Sequence, residues 1–190
     1  MTTVSRLTAL ALMLALAACQ TLQRDLGRDS RQALASWSLE GRLGYRSGND
    51  GGSASFHWVQ KNPDAGRIHF SGPMGFGSAR LEWSPERARL EHGGDTVSAQ
   101  SPSMLAWRLT GLILPVEQLR YWVRGLAAPQ PAATRRKEND GRLSQLRQAG
   151  WQLTFDRYQN VTGLQLPHRI KAEQGDQRFT LLIQSWQPVP

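Results

Sequence analysis

The chain has 190 residues, with 23 Lys and Arg against 15 Asp and Glu, a formal net charge of +8 and a pI of about 10.7. Its one cysteine excludes an intramolecular disulfide, and its four histidines, His57, His69, His92 and His168, lie in separate segments without metal-ligand spacing. A basic balance of this size suits an anionic lipid surface or nucleic acid, although the arginines are scattered and most read as a solvated surface.

The N-terminus, MTTVSRLTALALMLALAACQ, carries one cation, Arg6, then an apolar run from Leu7 to Ala18 and a cysteine. This is the pattern of a secretory signal peptide, too short for a transmembrane helix. Its last four residues, Leu16-Ala17-Ala18-Cys19, resemble the lipobox of bacterial lipoprotein precursors. That resemblance implies cleavage before Cys19, acylation of its sulfur and its new amine, and, with Gln20 rather than Asp following, an outer-membrane address. The rival reading is an ordinary cleavage site with a stray thiol. Export behind a lipid anchor argues against nucleic acid as a partner. The expected organisation is a signal peptide over 1–18, a lipidated N-terminus and tether over 19–30, and one domain over 31–190.

Residues 20–30 are polar, and Asp29 or Ser30 offers a cap for a short helix through Ala35. From Trp37 the pattern takes period two: Trp37, Leu39, Leu43 and Tyr45, then after SGNDGG Ala54, Phe56 and Trp58, then Ile68 and Phe70, then Ala79, Leu81 and Trp83. Such alternation predicts antiparallel strands with one apolar face. Between the last two strands lies SGPMGFGS (71–78), which sets Met74 and Phe76 among three glycines and a proline. It reads either as a turn folded back onto the sheet or as an apolar tip presented to a membrane. The segment RARLEHGGDTVSA predicts a further hairpin with a Gly-Gly turn.

Ser101-Pro102 starts a helix in which Met104, Leu105, Trp107, Leu109 and Leu112 are expected on one face. A second helix starts at Pro115, places Val116, Leu119, Trp122 and Val123 together, and stops at Gly125. Residues 127–140 read as a Pro/Ala linker running into charge. Strands resume around Leu143, Trp151–Phe155, 164–174 and Phe179–Trp186. Strands, a helical insert and more strands, without βαβ alternation, predict an α+β fold on one large antiparallel sheet.

The inward positions collect Trp37, Tyr45, Phe56, Trp58, Phe70, Trp83, Trp151 and Phe155, to which the insert adds Trp107 and Trp122. Two structures satisfy that pattern: a sheet packed tightly on two helices, or a half-closed barrel whose aromatic concavity the helices only partly fill. Catalysis has little support. There is no GxSxG, P-loop or HExxH, and Glu40, Glu82 and Glu91 fit solvated strand faces. No enzyme, cofactor or metal is expected.

Taken together, WSLEGRLGYR (37–46), ASFHWVQ (54–60), SGPMGFGSARLEW (71–83), LPVEQLRYWVRGLAAP (114–129), GWQLTFDRY (150–158) and LQLPHRI (164–170), in this order behind a lipobox, resemble the LolB family. The resemblance implies an incomplete, half-open antiparallel barrel with a helical lid over an apolar cavity. It implies a monomer that takes the acyl chains of triacylated lipoproteins from the periplasmic carrier LolA and releases them into outer-membrane lipid. Acyl-chain contacts are then expected at Trp37, Phe56, Trp58, Phe70, Leu81, Trp83, Trp107, Trp122, Trp151 and Phe155. By position, the family's functionally sensitive tryptophans fall on Trp58, Trp122 and Trp151. Its protruding leucine, within Pro-Leu-Gly, falls on Met74. The sequence departs there, with Met for Leu and Phe76 as a second apolar side chain, so both are candidates for membrane insertion.

Overall fold

The computed structural model describes residues 30–72, 77–111 and 114–188. Residues 1–33 and 34–190 separate into two compact units. Of the first, the described part is a 3-10 turn, Ser30–Ala33.

The second unit opens with six strands: β1 (Trp37–Ser47), β2 (Asp50–Asn62), β3 (Ala65–Gly72), β4 (Gly77–Trp83), β5 (Ala88–His92) and β6 (Asp95–Ala99). Two helices follow, α1 (Pro102–Thr110) and α2 (Val116–Trp122). Five strands complete it: β7 (Thr134–Lys137), β8 (Leu143–Gln148), β9 (Trp151–Val161), β10 (Leu164–Gln174) and β11 (Gln177–Pro188). All pair antiparallel in one sheet of 11 strands, in the order β6-β5-β4-β3-β2-β1-β11-β10-β9-β8-β7. The sheet does not close, and β6 and β7 are its two edges.

The first and last strands therefore meet in the middle of the sheet. β1 pairs along its whole length with β2 on one side, from Trp37 opposite Gln60 to Ser47 opposite Asp50, and with β11 on the other. A β-bulge interrupts the β1–β11 ladder between Glu40 and Gly41, and further irregularities fall between Pro167 and Ile170 on β10. Bulges sharpen the local right-handed twist and bend the strand that carries them, which coils a sheet of this width. Two-residue turns with both residues at positive φ, such as Gly93-Gly94 and Thr162-Gly163, join neighbouring strands. Turns of that type match the strand twist and fix the register.

Alternation is followed closely. Trp37, Leu39, Gly41 and Leu43 on β1, and Ala54, Phe56, Trp58 and Gln60 on β2, all face the buried side. One continuous hydrophobic cluster runs from β5 across the sheet to β8 and takes in both helices. α1 packs on β4, β5 and β6 and against α2. Pro102 begins α1 and Gly111, at φ 65°, ends it, as the helix signals require.

Two elements depart from expectation. The segment 127–140 is not wholly a linker, since β7 lies within it and extends the sheet past β8. All four of its side chains are exposed, so pairing through the backbone alone left no alternation in the sequence. α1 is phased differently from its apolar pattern, with consequences given below.

Candidate functional site

The buried face of the sheet is organised by tryptophans in contact. Trp37 lies 5.2 Å from Trp58 on one side and 5.2 Å from Trp186 on the other, centroid to centroid and tilted. Trp58 meets Trp83 edge-on at 5.9 Å. Four indoles from β11, β1, β2 and β4 thus form one connected row. On the β9 side, Trp151 meets Phe179 at 4.9 Å, tilted by 58°. Tilted and edge-on pairs at these separations are the favoured aromatic geometries.

The Trp58–Trp83 contact skips a strand, because β3 lies between β2 and β4. Gly66 on β3 makes that possible. A Cβ at this position would stand 2.6 Å from Trp83 Cζ2 and 2.9 Å from the Val59 carbonyl oxygen. With no side chain there, the Trp83 ring lies across β3. We expect Gly66→Val to displace Trp83, weaken the coupled near-UV circular dichroism of the indoles, and destabilise the domain by about 1–3 kcal/mol. An unchanged near-UV spectrum would contradict this geometry.

Two glutamines complete the face. Trp58 Nε1 donates to Gln60 Oε1 at 3.1 Å, and Gln60 Nε2 donates to the carbonyls of Asn62 (2.7 Å) and Ala65 (3.2 Å). Trp122 Nε1 donates to Gln148 Oε1 at 2.9 Å, and the Ala128 amide donates to the same oxygen at 2.9 Å. Gln148 Nε2 then donates to the carbonyls of Ala128 (2.8 Å) and Pro131 (2.6 Å). Both glutamines are buried, and each holds a tryptophan in one orientation while satisfying loop backbone. The Gln148 set fastens the end of α2 and the segment after it to the last residue of β8.

Of the expected acyl-contact residues, Trp37, Phe56, Trp58, Phe70, Leu81, Trp122, Trp151 and Phe155 are buried on this face, and Trp83 is half-buried against it. Trp107 is not with them: it is 52% exposed. At about 100° per residue, Met104, Leu105, Trp107 and Leu109 do not share one side of a helix. Leu105 and Ala106 take the inward position, which turns Met104 and Trp107 outward. Cys19, Met74 and Phe76 lie outside the described residues. Trp186, Gln60 and Gln148 were missed, although period two from Trp58 and Leu146 points both glutamines inward, and an inward Gln in an apolar row is a readable signal.

The outward face carries charge. On β9 and β10, Arg169 Nε donates to Asp156 Oδ1 at 2.6 Å, and Lys171 Nζ lies 3.3 Å from Oδ2. The hydrogen bond from Arg169, with that from Lys171, holds the Asp156 carboxyl below its ordinary value. A depressed carboxyl contributes stability above its unfolded pKa, about 4, and loses it as pH falls through the lower folded value. Asp156→Asn should therefore flatten the acid limb of the stability profile below about pH 4. Parallel acid limbs for the two proteins would contradict the pairing. Among the described residues no group of three or more His, Cys, Asp or Glu is placed to hold a metal ion. No described helix is long and apolar enough to cross a membrane.

Solved structures define the fold class. The chain superposes on a LolA superfamily protein from Nitrosomonas europaea with a TM-score of 0.58 at 10% identity, over 83% of this chain and 87% of that one. It superposes on a DUF1329 family protein from Desulfovibrio piger with a TM-score of 0.59, also at 10% identity, over 84% and 89%. At that identity the likeness is one of fold, an unclosed antiparallel sheet with helices.

Sequence relationships are narrower. The family model described as "Outer membrane lipoprotein LolB" matches residues 35–186. The outer-membrane lipoprotein LolB of Cellvibrio japonicus is 41% identical over 162 residues, 82% of this chain and 79% of that protein. Its counterpart in Pseudomonas aeruginosa strain LESB58 is 38% identical over 156 residues, 82% and 76%. The chain belongs to the LolB family of lipid-anchored outer-membrane lipoproteins.

Proposed function

We propose that this chain is the outer-membrane receptor that accepts lipoproteins from the periplasmic carrier LolA. It holds their acyl chains against the tryptophan row and inserts them into the inner leaflet. The observation that carries this reading is the row itself: four contacting indoles on one face of a sheet that does not close, in a chain of the LolB family. Cys19 is the anchor, Met74 and Phe76 are the membrane-inserting tip, and the helices form the lid. Trp107 is left out of the acyl-contact set because of its exposure.

The energetics favour this reading. Each buried CH₂ of an acyl chain is worth about 0.8 kcal/mol, so a three-chain cargo released into water would cost tens of kcal/mol. Transfer must pass from one apolar surface to another, with direction set by relative affinity and no catalytic step. Indole and leucine surfaces are non-directional, which suits cargo whose protein part varies. Since the inward side chains are buried, an acyl chain enters by parting a helix from the sheet. The Gln148 bonds hold α2 at its C-terminal end.

The test is transfer of a triacylated lipoprotein from loaded LolA, followed by its insertion into vesicles. The wild-type chain is expected to do both. Met74→Glu with Phe76→Glu is expected to accept cargo normally and to slow insertion. A folded wild-type chain that takes no cargo would overturn the reading in favour of a non-catalytic envelope-assembly lipoprotein with a packed aromatic core. Insertion at the normal rate by the double variant would overturn the role of the tip alone.

A further inference from the structure

Most of α1 is accounted for. Leu105 and Ala106 are buried against the sheet. Ser101 Oγ donates to Glu117 Oε1 at 2.7 Å, Ser103 Oγ donates to the other carboxylate oxygen, and the Val116 amide donates to Ser103 Oγ at 2.8 Å. These contacts bind the helix to β4–β6 and to the start of α2. What remains is a stripe at i, i+3 and i+4: Met104, 49% exposed, Trp107, 52% exposed, and Arg108, also exposed. Met104 and Trp107 are the two exposed large hydrophobic side chains among the described residues. Among those residues no carboxylate pairs with Arg108.

We propose that this stripe is a phospholipid-contact surface, with Trp107 and Met104 seated at the headgroup–acyl boundary and Arg108 on lipid phosphate. Three observations choose a bilayer as the occupant. Indole is amphipathic and collects at membrane interfaces, while a flexible Met beside it adapts to irregular acyl packing. The Arg108 guanidinium, which pairs with no described carboxylate, matches phosphate in charge and in its forked donor geometry, within a chain of net charge +8. Finally, the chain is a lipid-anchored outer-membrane protein, and the stretch from Cys19 to Leu34 extends to at most about 50 Å. A lipid surface is therefore always within reach. The contact is separate from the tryptophan row, because it lies on the side of α1 turned away from the sheet. It also does not depend on the receptor reading.

Tryptophan emission tests it. Trp37, Trp58, Trp122, Trp151 and Trp186 are buried and Trp83 is half-buried, so Trp107 is the indole open to an external quencher. Residues 73–76 include no tryptophan, so any insertion by them gives no signal of its own. The lipidated full-length protein would be reconstituted into phosphatidylethanolamine–phosphatidylglycerol vesicles with brominated acyl chains. The expected result is loss of about one tryptophan's share of the emission relative to unbrominated vesicles. That loss should disappear in Trp107→Phe and shrink in Arg108→Gln. Near-UV circular dichroism establishes that each variant is folded. If Trp107→Phe is not, Met104→Ser serves in its place, with reduced quenching expected. Absence of quenching in the wild type, or quenching unchanged in a folded Trp107→Phe, overturns the proposal. Quenching only by brominated chains on bound lipoprotein assigns the stripe to cargo and also overturns it. Shielding of Trp107 that rises with protein density, without bromine quenching, assigns the stripe to a second copy and likewise overturns the proposal.

Discussion

Replacing Gln148 with leucine is expected to lower the free energy of unfolding by about 3–5 kcal/mol, among the larger losses open to a single side chain. The side chain accepts from Trp122 Nε1 and the Ala128 amide and donates to the Ala128 and Pro131 carbonyls. Leucine fills the space and leaves four polar atoms without partners, and a buried group in that state costs its full desolvation. Urea unfolding of the wild type, Gln148→Leu, Trp122→Phe and the double variant would check it. The two sites should be coupled, with the double variant falling short of the sum of the singles. A loss below about 1 kcal/mol would mean the glutamine is dispensable for holding α2.

Trp37→Ala is the second large expected effect, at about 3–5 kcal/mol. Trp37 has a tryptophan on either side, as Trp58 also does, and its removal leaves a void and separates Trp186 from Trp58. Because the residue is almost fully buried, the loss combines apolar transfer with the cavity left behind. Trp37→Phe should recover most of the stability. On the receptor reading, Trp37→Ala should also lower uptake of lipoprotein from the carrier at temperatures where it remains folded. Stability near the wild-type value would show the row to be loosely packed.

The main sheet was legible because burial on one face forces period two, and nearly every strand residue from Trp37 to Trp83 and from Trp151 to Phe155 obeys it. β7 was not legible, since its Thr134–Lys137 side chains are all exposed and only its backbone pairs. The inward tryptophans were readable as a set, but their contacts were not. The Trp58–Trp83 meeting depends on a missing side chain at Gly66, on a strand that carries neither ring. Trp107 misled because a helix dense in apolar residues contains more of them than one face can bury. The glutamines were overlooked as polar letters in apolar strands, although their fixed amide geometry is what orients Trp58 and Trp122.

The position of β1 has a mechanical consequence. A lipid anchor on the N-terminal side transmits any pull past Leu34, whose carbonyl accepts from Arg124 Nη1 at 2.9 Å, into β1, which is bonded on both flanks along its full length. Tension along the chain would load two ladders lengthwise at once, so many bonds would have to yield together rather than unzip in turn. The free margins of the sheet, β6 and β7, each lie five strands away from this load path. The protein can be tugged by its own membrane while the edges of its sheet stay slack.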